Sequence, residues 1–304
     1  SVLGVLHENT FLQDVALSEL ARQHGIYVLL EGQGADETLA GYESYYIYHI
    51  ADIAKENIKL AHELYKDYLL KRGITNTNLE SDFNTFIAKA AKNISQDGTR
   101  ATLPETVSRE VTNRHGTGYH HKTTETKLRS ACFNDLTNVK VPRVLRFKDR
   151  CSMMNGVELR VPFLDHRLVE LSLRIPPELL LSEGYTKVYL RKIMTGQLPE
   201  ETCFHVKRQV QTPQREWLRG PLKPLIDETI NSTSFSSRGI FNVNKVRRIY
   251  KDFQDNPEKY PNSFFAWQWL SIEQWFRIFI DKTNTTFETS APEHPNIRRY
   301  APTI

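Results

Sequence analysis

Residues 31–42 read Glu-Gly-Gln-Gly-Ala-Asp-Glu-Thr-Leu-Ala-Gly-Tyr and follow directly on the apolar run at 26–30. A short apolar run without alternation predicts a buried strand of a parallel sheet, since such strands are covered on both faces. In α/β folds the carboxyl end of such a strand is where ligands bind. Gly32 and Gly34 let the backbone approach a ligand and take up positive φ, while Asp36 and Glu37 set hard oxygen ligands beside the opening. The residues alone leave two readings open: half of a nucleotide-phosphate site, or a tight turn leading into a capped helix.

Upstream of this stretch, Phe11, Leu12, Val15, Ala16, Leu20 and Ala21 recur at helical spacing, and Gly25 stands where a helix C-cap belongs. Helix 11–24 followed by strand 26–30 reads as the closing part of a βαβ unit whose first strand is not among these residues. Downstream, helical periodicity runs over 42–58 and 60–71 and breaks at Gly73, Asn76 and Asn78. Segments 79–93 and 122–136 are expected to be helical as well, whereas 94–121 is polar, with glycines at 98, 116 and 118, and reads as a mobile surface loop. Pro142 is placed to open a helix carrying Arg146 to Met154, and Pro176, Pro177 and Pro199 punctuate the next two helices. The span 264–280, with Trp267, Trp269, Trp275 and Phe276, reads as an aromatic core helix, and 283–304 as a loosely held polar tail.

Composition bounds what such a chain can do. At 304 residues there is length for one large domain or two small ones. Forty basic against 36 acidic residues leave a net charge of +4 spread along the chain, which argues against a nucleic-acid binder while allowing a local phosphate site. Cys132, Cys151 and Cys203 are few, odd in number and widely spaced, so a disulfide framework is not expected and a reducing, cytoplasmic setting fits better. No apolar run approaches the roughly 20 residues needed to cross a bilayer. His115, His120 and His121 fit no zinc spacing and have no cysteine nearby.

Beyond the Gly-rich loop, four segments follow in order: Leu145-Arg-Phe-Lys-Asp-Arg-Cys-Ser-Met-Met, Val157-Glu-Leu-Arg-Val-Pro-Phe-Leu-Asp-His-Arg, Thr186-Lys-Val-Tyr-Leu-Arg-Lys, and Lys207 through Thr212-Pro213 to Trp217. In order and spacing they closely resemble the synthetase domain of glutamine-dependent asparagine synthetases, over about residues 11–279. The resemblance implies an incomplete adenine-nucleotide α-hydrolase-like domain: an α/β fold with a parallel strand and Gly-rich loop followed by a mostly helical region. The domain expected from it is a partial, amino-terminally truncated synthetase domain over 1–282, with 283–304 as tail. Relatives carry a Ser-Gly-Gly-x-Asp-Ser loop that cradles pyrophosphate, and that motif occurs nowhere in these 304 residues. Their amino-terminal glutaminase domain is likewise not in this sequence.

The chemistry implied is ATP-dependent conversion of aspartate to asparagine through a β-aspartyl-AMP intermediate, with Mg²⁺ and with ammonia derived from glutamine by the glutaminase domain. Each step places charge on phosphate oxygens, so such a site needs cations and backbone N–H groups already in position. Asp36 aligns with the family aspartate that holds Mg²⁺ on pyrophosphate; as a residue alone it is equally a first-turn or N-cap acid. Lys207 aligns with the lysine that steadies the α-phosphate and leaving pyrophosphate, although Gln209 and Val210 stand where relatives commonly have glycine and phenylalanine. Gln33 stands where well-known asparagine synthetases carry glutamate and a β-lactam-forming relative carries tyrosine; an amide can donate and accept hydrogen bonds but cannot act as a general acid or base. Gly32, Gln33, Gly34, Asp36 and Lys207 are thus the expected ATP and pyrophosphate contacts, with Lys207 and Gln33 closest to the reaction.

Arg146, Asp149 and Arg150 share a predicted helix, and Glu158, Arg160 and Asp165 follow it; they read either as a structural ion-pair network or as contacts to the substrate carboxylate. Three functions remain open at this level. One is the synthetase portion of an asparagine synthetase. Another is an amide-forming relative, an amidotransferase or cyclase acting on a sugar acid, peptide or antibiotic precursor, which Gln33 keeps in view. The last is a non-enzymatic remnant. Without the first strands a sheet face would be uncovered, so the isolated chain is expected to be inactive and to associate, a homodimer being one form.

Overall fold

The computed structural model describes residues 12–75, 78–92, 103–114, 126–206, 213–260 and 262–283. In chain order the elements are α1 (Leu12–Gln23), β1 (Val28–Leu30), α2 (Ala35–Thr38), α3 (Glu43–Ile53), α4 (Ile58–Lys71), α5 (Leu79–Lys92), α6 (Arg109–Arg114), α7 (Lys127–Thr137), α8 (Lys140–Met153), β2 (Glu158–Arg160), α9 (His166–Ser172), α10 (Pro177–Leu180), α11 (Val188–Met194), α12 (Glu200–Cys203), α13 (Gln214–Arg219), α14 (Lys223–Asn231), α15 (Thr233–Ser237), α16 (Val243–Asp255) and α17 (Phe264–Phe279). Two compact units result, one formed by 10–100 with 116–211 and the other by 1–9, 101–115 and 212–304.

The first unit carries the sheet. β1 and β2 run parallel in the register Val28↔Glu158, Leu29↔Leu159, Leu30↔Arg160. Backbone bonds from Glu158 N–H to Tyr27 O (2.8 Å) and from Glu31 N–H to Arg160 O (2.8 Å) extend the ladder at both ends. The helix before β1 ends as expected: Gly25 takes φ 73° and Ile26 N–H returns to Ala21 O at 2.9 Å. The parallel direction is also as expected, but the burial is not. Val28 is 41% and Leu30 73% exposed, because among the described residues β1 has one partner strand and only part of its surface is covered.

The core of this unit centres on α3, which is buried nearly all round through Tyr45, Tyr46, Tyr48, His49, Ile50 and Ala51. Ala61, Tyr65 and Leu69 of α4, Phe83 of α5, and Leu128 and Cys132 of α7 pack against it. The helix expected over 42–58 ends at Ile53, and the one expected over 60–71 begins at Ile58. Asn57 decides that start by capping α4 through its side-chain oxygen, which accepts from Leu60 N–H at 3.1 Å. Asp52 near the end of α3 receives Lys127 N–H (3.1 Å) and Leu128 N–H (3.0 Å), so one carboxylate satisfies the start of α7. α8 opens with Pro142 in its first turn and packs on α1, α7 and β2.

Among the described residues the regular elements of the second unit are helices, packed around Leu218, Ile226, Ile230, Phe235, Val246, Tyr250, Phe253, Phe265, Ala266, Trp269 and Leu270. The aromatic helix is α17, and Trp269 is its most buried indole. Part of the span read as a loop belongs here. Within 94–121, residues 104–106 form a 3₁₀ turn, 109–114 form α6, and Val107 bridges Phe241. Ser108 N–H to Ile240 O and Asn242 N–H to Thr106 O, both 2.8 Å, fix this segment. Local polarity concealed it because its partners come from a distant part of the chain. His115, His120 and His121 lie outside the described residues, as does 284–304. Among the described residues, no helix is long and apolar enough to cross a membrane.

Candidate active site

The end of β1 opens into the turn 31–34, which leads straight into α2. Gly34, buried and at φ 92°, takes the N-cap position, where a side chain would be strained and would run into Leu164, with 2.3 Å from an added Cβ to the leucine Cδ2. Thr38 N–H and Oγ1 both bond to Gly34 O, at 2.9 and 2.8 Å, and close the turn. Gly32 differs from expectation: it is exposed, does not take positive φ and has open space around its Cα. The conformational demand of the loop therefore falls on Gly34. Gln33 between them is half-buried.

Asp36 lies in the first turn of α2, and its carboxylate meets the Lys187 ammonium at 2.9 Å. Lys187 precedes α11 in a left-handed backbone conformation (φ 53°, ψ 37°), which costs a non-glycine residue about 1 kcal/mol or more. Gly41 completes the arrangement: a Cβ there would sit 1.9 Å from Asp36 Oδ1. Neither Lys187 nor Gly41 follows from the sequence alone. Lys187 sits inside the Thr186–Lys192 segment that carries part of the resemblance, and that was the available signal.

Beneath the turn lies a buried polar chain. Tyr42 donates its hydroxyl to Glu37 Oε1 (2.7 Å), Tyr45 donates to Asp135 Oδ2 (2.6 Å), and Lys140 pairs with Asp135 (2.8 Å) while its ammonium lies 3.7 Å from the Tyr42 ring centroid. Burial pushes the Glu37 carboxyl above the ordinary carboxylate range, against the Tyr42 hydroxyl and a backbone N–H that hold it down. Burial and the neighbouring Glu37 carboxylate also push the Tyr42 hydroxyl up. Glu37 Oε2 is buried and finds no partner among the described residues.

At the loop's other side Lys148 of α8 bonds to Asp14 (3.1 Å) and to Glu31. Burial pulls this ammonium down, and Glu31 and Asp14 together outweigh it, holding Lys148 above the usual lysine value. Arg146, Asp149 and Arg150 occupy exposed positions on the same helix. Glu158 and Arg160 pair with each other at 2.9 Å on exposed β2, with Arg160 in register with Leu30 beside the loop. Asp165 caps α9, accepting from Arg167 N–H at 3.0 Å, and the Arg167 guanidinium and N–H hold its carboxyl down at about 2. Lys207 lies outside the described residues.

The structure thus brings Gly32, Gln33, Gly34 and Asp36 together in one turn and adds Lys187, Lys148 and the buried Glu37 pair. Among the described residues no group of three or more His, Cys, Asp or Glu side chains is disposed to hold a metal ion. Mg²⁺ is commonly bound by one or two carboxylates with phosphate oxygens and water completing the octahedron; the Asp36 carboxylate, expected from the sequence to hold it, is engaged here by the Lys187 ammonium at 2.9 Å. The three cysteines are buried free thiols, with Cys132 pushed up by burial to about 12.

The family model for asparagine synthase matches residues 10–277. Glutamine-hydrolyzing asparagine synthetase 1 of Bacillus subtilis is 25% identical over 280 residues, covering 86% of this chain and 42% of that protein. A putative glutamine-hydrolyzing asparagine synthetase 1 of Methanocaldococcus jannaschii is 32% identical over 149 residues, 45% of this chain and 27% of that one. The amidase chyE of Penicillium rubens is 24% identical over 278 residues, 77% of this chain and 39% of that one. The chain therefore spans about two-fifths of the length of the Bacillus and Penicillium relatives.

Proposed function

The chain belongs to the asparagine synthase family, and from that premise we propose that it forms the ATP-using part of an amide ligase that converts aspartate to asparagine. A substrate carboxylate oxygen attacks the α-phosphorus of ATP and pyrophosphate leaves. Ammonia, supplied from glutamine by a further domain, then adds to the acyl carbon of the β-aspartyl adenylate, and AMP departs. The fold in which this takes place is an adenine-nucleotide α-hydrolase-like domain, with the turn 31–34 as its nucleotide-facing loop.

The observation that carries the reading is the Asp36–Lys187 pair at the mouth of that turn, in a chain matching the family model over 10–277. Lys187 is a compact ammonium able to neutralise charge that develops on phosphate oxygens. Asp36 would hold Mg²⁺, which when bound screens the β- and γ-phosphates and eases departure of pyrophosphate. Gly32, exposed and open, leaves room for a phosphate close to the backbone, and Gln33 offers an amide to the substrate carboxyl or the incoming nitrogen. Lys207 is assigned the α-phosphate. Arg160, in register with Leu30 next to the turn, and Arg146 or Arg150 of α8 would supply a guanidinium for the substrate carboxylate.

A second reading has its own support: Gln33 in place of a carboxylate, together with similarity to a fungal amidase, favours a family member acting on another carboxylate. The test is exchange of labelled pyrophosphate into ATP by the whole gene product, with aspartate and then with a panel of sugar acids, peptides and amino acids. Exchange and asparagine formation with aspartate support the first reading. Exchange with a different acid alone selects the second, and no exchange with any acid overturns both.

A further inference from the structure

Arg191 is a cation with no carboxylate within ion-pairing distance among the described residues, and there its side chain donates only to backbone carbonyls. Its Nε donates to Thr186 O at 2.6 Å, and Nη1 donates to Cys203 O and to His205 O, the latter at 2.9 Å. The guanidinium also lies 5.2 Å from the Tyr185 ring centroid. A half-buried guanidinium spent on carbonyls fixes backbone geometry instead of balancing charge.

What it fixes is the peptide that matters for Lys187. Thr186 C=O and Lys187 N–H belong to one peptide plane, so a bond to that carbonyl sets the plane and with it φ of Lys187. That φ is 53°, in the left-handed region a lysine adopts only when its surroundings hold it there. Arg191 N–H returns to Lys187 O at 3.1 Å, so main chain and side chain of Arg191 grip Lys187 from both sides. The held conformation aims the Lys187 ammonium at Asp36, 2.9 Å away.

We infer that Arg191 is a positioning residue for Lys187: its fork locks the strained Thr186–Lys187 peptide, and through the second arm joins that lock to the segment at 203–205. This rests on reading Asp36 and Lys187 as the phosphate-facing pair. Burial, which pulls the guanidinium below its ordinary value, is tolerated because three carbonyls replace its water.

The test is a double-mutant cycle in the whole gene product, with Arg191→Lys, Lys187→Ala and both together, followed by pyrophosphate exchange with kcat and KM for ATP separated. Lysine keeps the charge but presents a single nitrogen in place of the separated Nε and Nη1 donors that reach Thr186 O on one side and Cys203 O and His205 O on the other. Arg191→Lys is expected to lose exchange on the order of 100-fold in kcat/KM, the scale set by a misplacement of about 1 Å. The double variant should be no worse than Lys187→Ala alone. A stability role would leave the two losses multiplying, and that result, or full activity of Arg191→Lys, overturns the inference while leaving the site reading intact. Silent Lys187→Ala overturns the site reading and this one with it. If Arg191→Lys does not fold, as read by its denaturation midpoint, Arg191→Gln takes its place in the same cycle under the same criterion.

Discussion

Gly41→Ala tests whether the carboxylate at the mouth of the loop is held by close packing. Gly41 is not in the left-handed region, so alanine is permitted by its backbone, and at such a position Gly→Ala ordinarily stabilises by about 0.4–1 kcal/mol through the unfolded chain. Here the added Cβ would lie 1.9 Å from Asp36 Oδ1, 2.8 Å from its Cγ and 2.9 Å from its Cα. Swinging the carboxylate away relieves the first two contacts but not the third, and Gly41 N–H is itself bonded to Asp36 O at 2.7 Å, which keeps the two backbones together. Overpacking of this kind costs about 1–3 kcal/mol, so the net expectation is a destabilisation of about 1–2 kcal/mol. The carboxylate also has to leave Lys187. Urea unfolding, compared at constant m-value, gives the first number, and pyrophosphate exchange by the whole gene product should fall with it. A variant as stable as the parent, or more stable, refutes the packing argument. Stability loss with unchanged exchange would separate Asp36 from the chemistry.

Tyr42→Phe removes the hydroxyl that bonds Glu37. Because the folded-state pKa of Glu37 is raised, the folded protein binds the proton more tightly than the unfolded chain, so this group's contribution is full below the unfolded value of about 4.5 and is lost as pH rises through the folded value. Losing a donor to the ionised form raises the folded value further; the cost should grow from about 1 kcal/mol in acid to about 1.5–3 at pH 8, and urea melts giving the same cost at both would refute it. Trp269→Ala, at a side chain 1% exposed, should cost about 3–5 kcal/mol in denaturant unfolding, and a loss under about 1 would mean the cluster around α17 is not packed as described. Cys132 and Cys151, both buried with thiols pushed up to about 12 and about 11, should resist alkylation in the native protein at pH 8 and react on unfolding; rapid native labelling, read by peptide mass, would contradict their burial.

Much of the local structure was legible from the residues because its causes are local. The apolar spacing of α1 and α4, Gly25 as a helix end, Pro142 in the first turn of α8 and the aromatic run of α17 each act within a few residues of themselves. Even the parallel direction of β1 followed from a run without alternation. Where competing local signals met, the reading slipped: the side chain of Asn57 moved the break between α3 and α4, and residues 104–114 drew their order from Phe241 and Ile240.

The sequence by itself thus determined the helical periods, the strand-to-glycine turn carrying Asp36, and the segments that mark the family. Only the tertiary structure decided that Lys187 meets Asp36, that Gly41 must lack a side chain, that Glu37 is buried on Tyr42, and that Leu30 of β1 is exposed. The division has a physical cause. Backbone propensities and caps are set by neighbours along the chain, whereas the partner of a charge and the covering of a strand depend on which distant segments packing brings within a few ångströms.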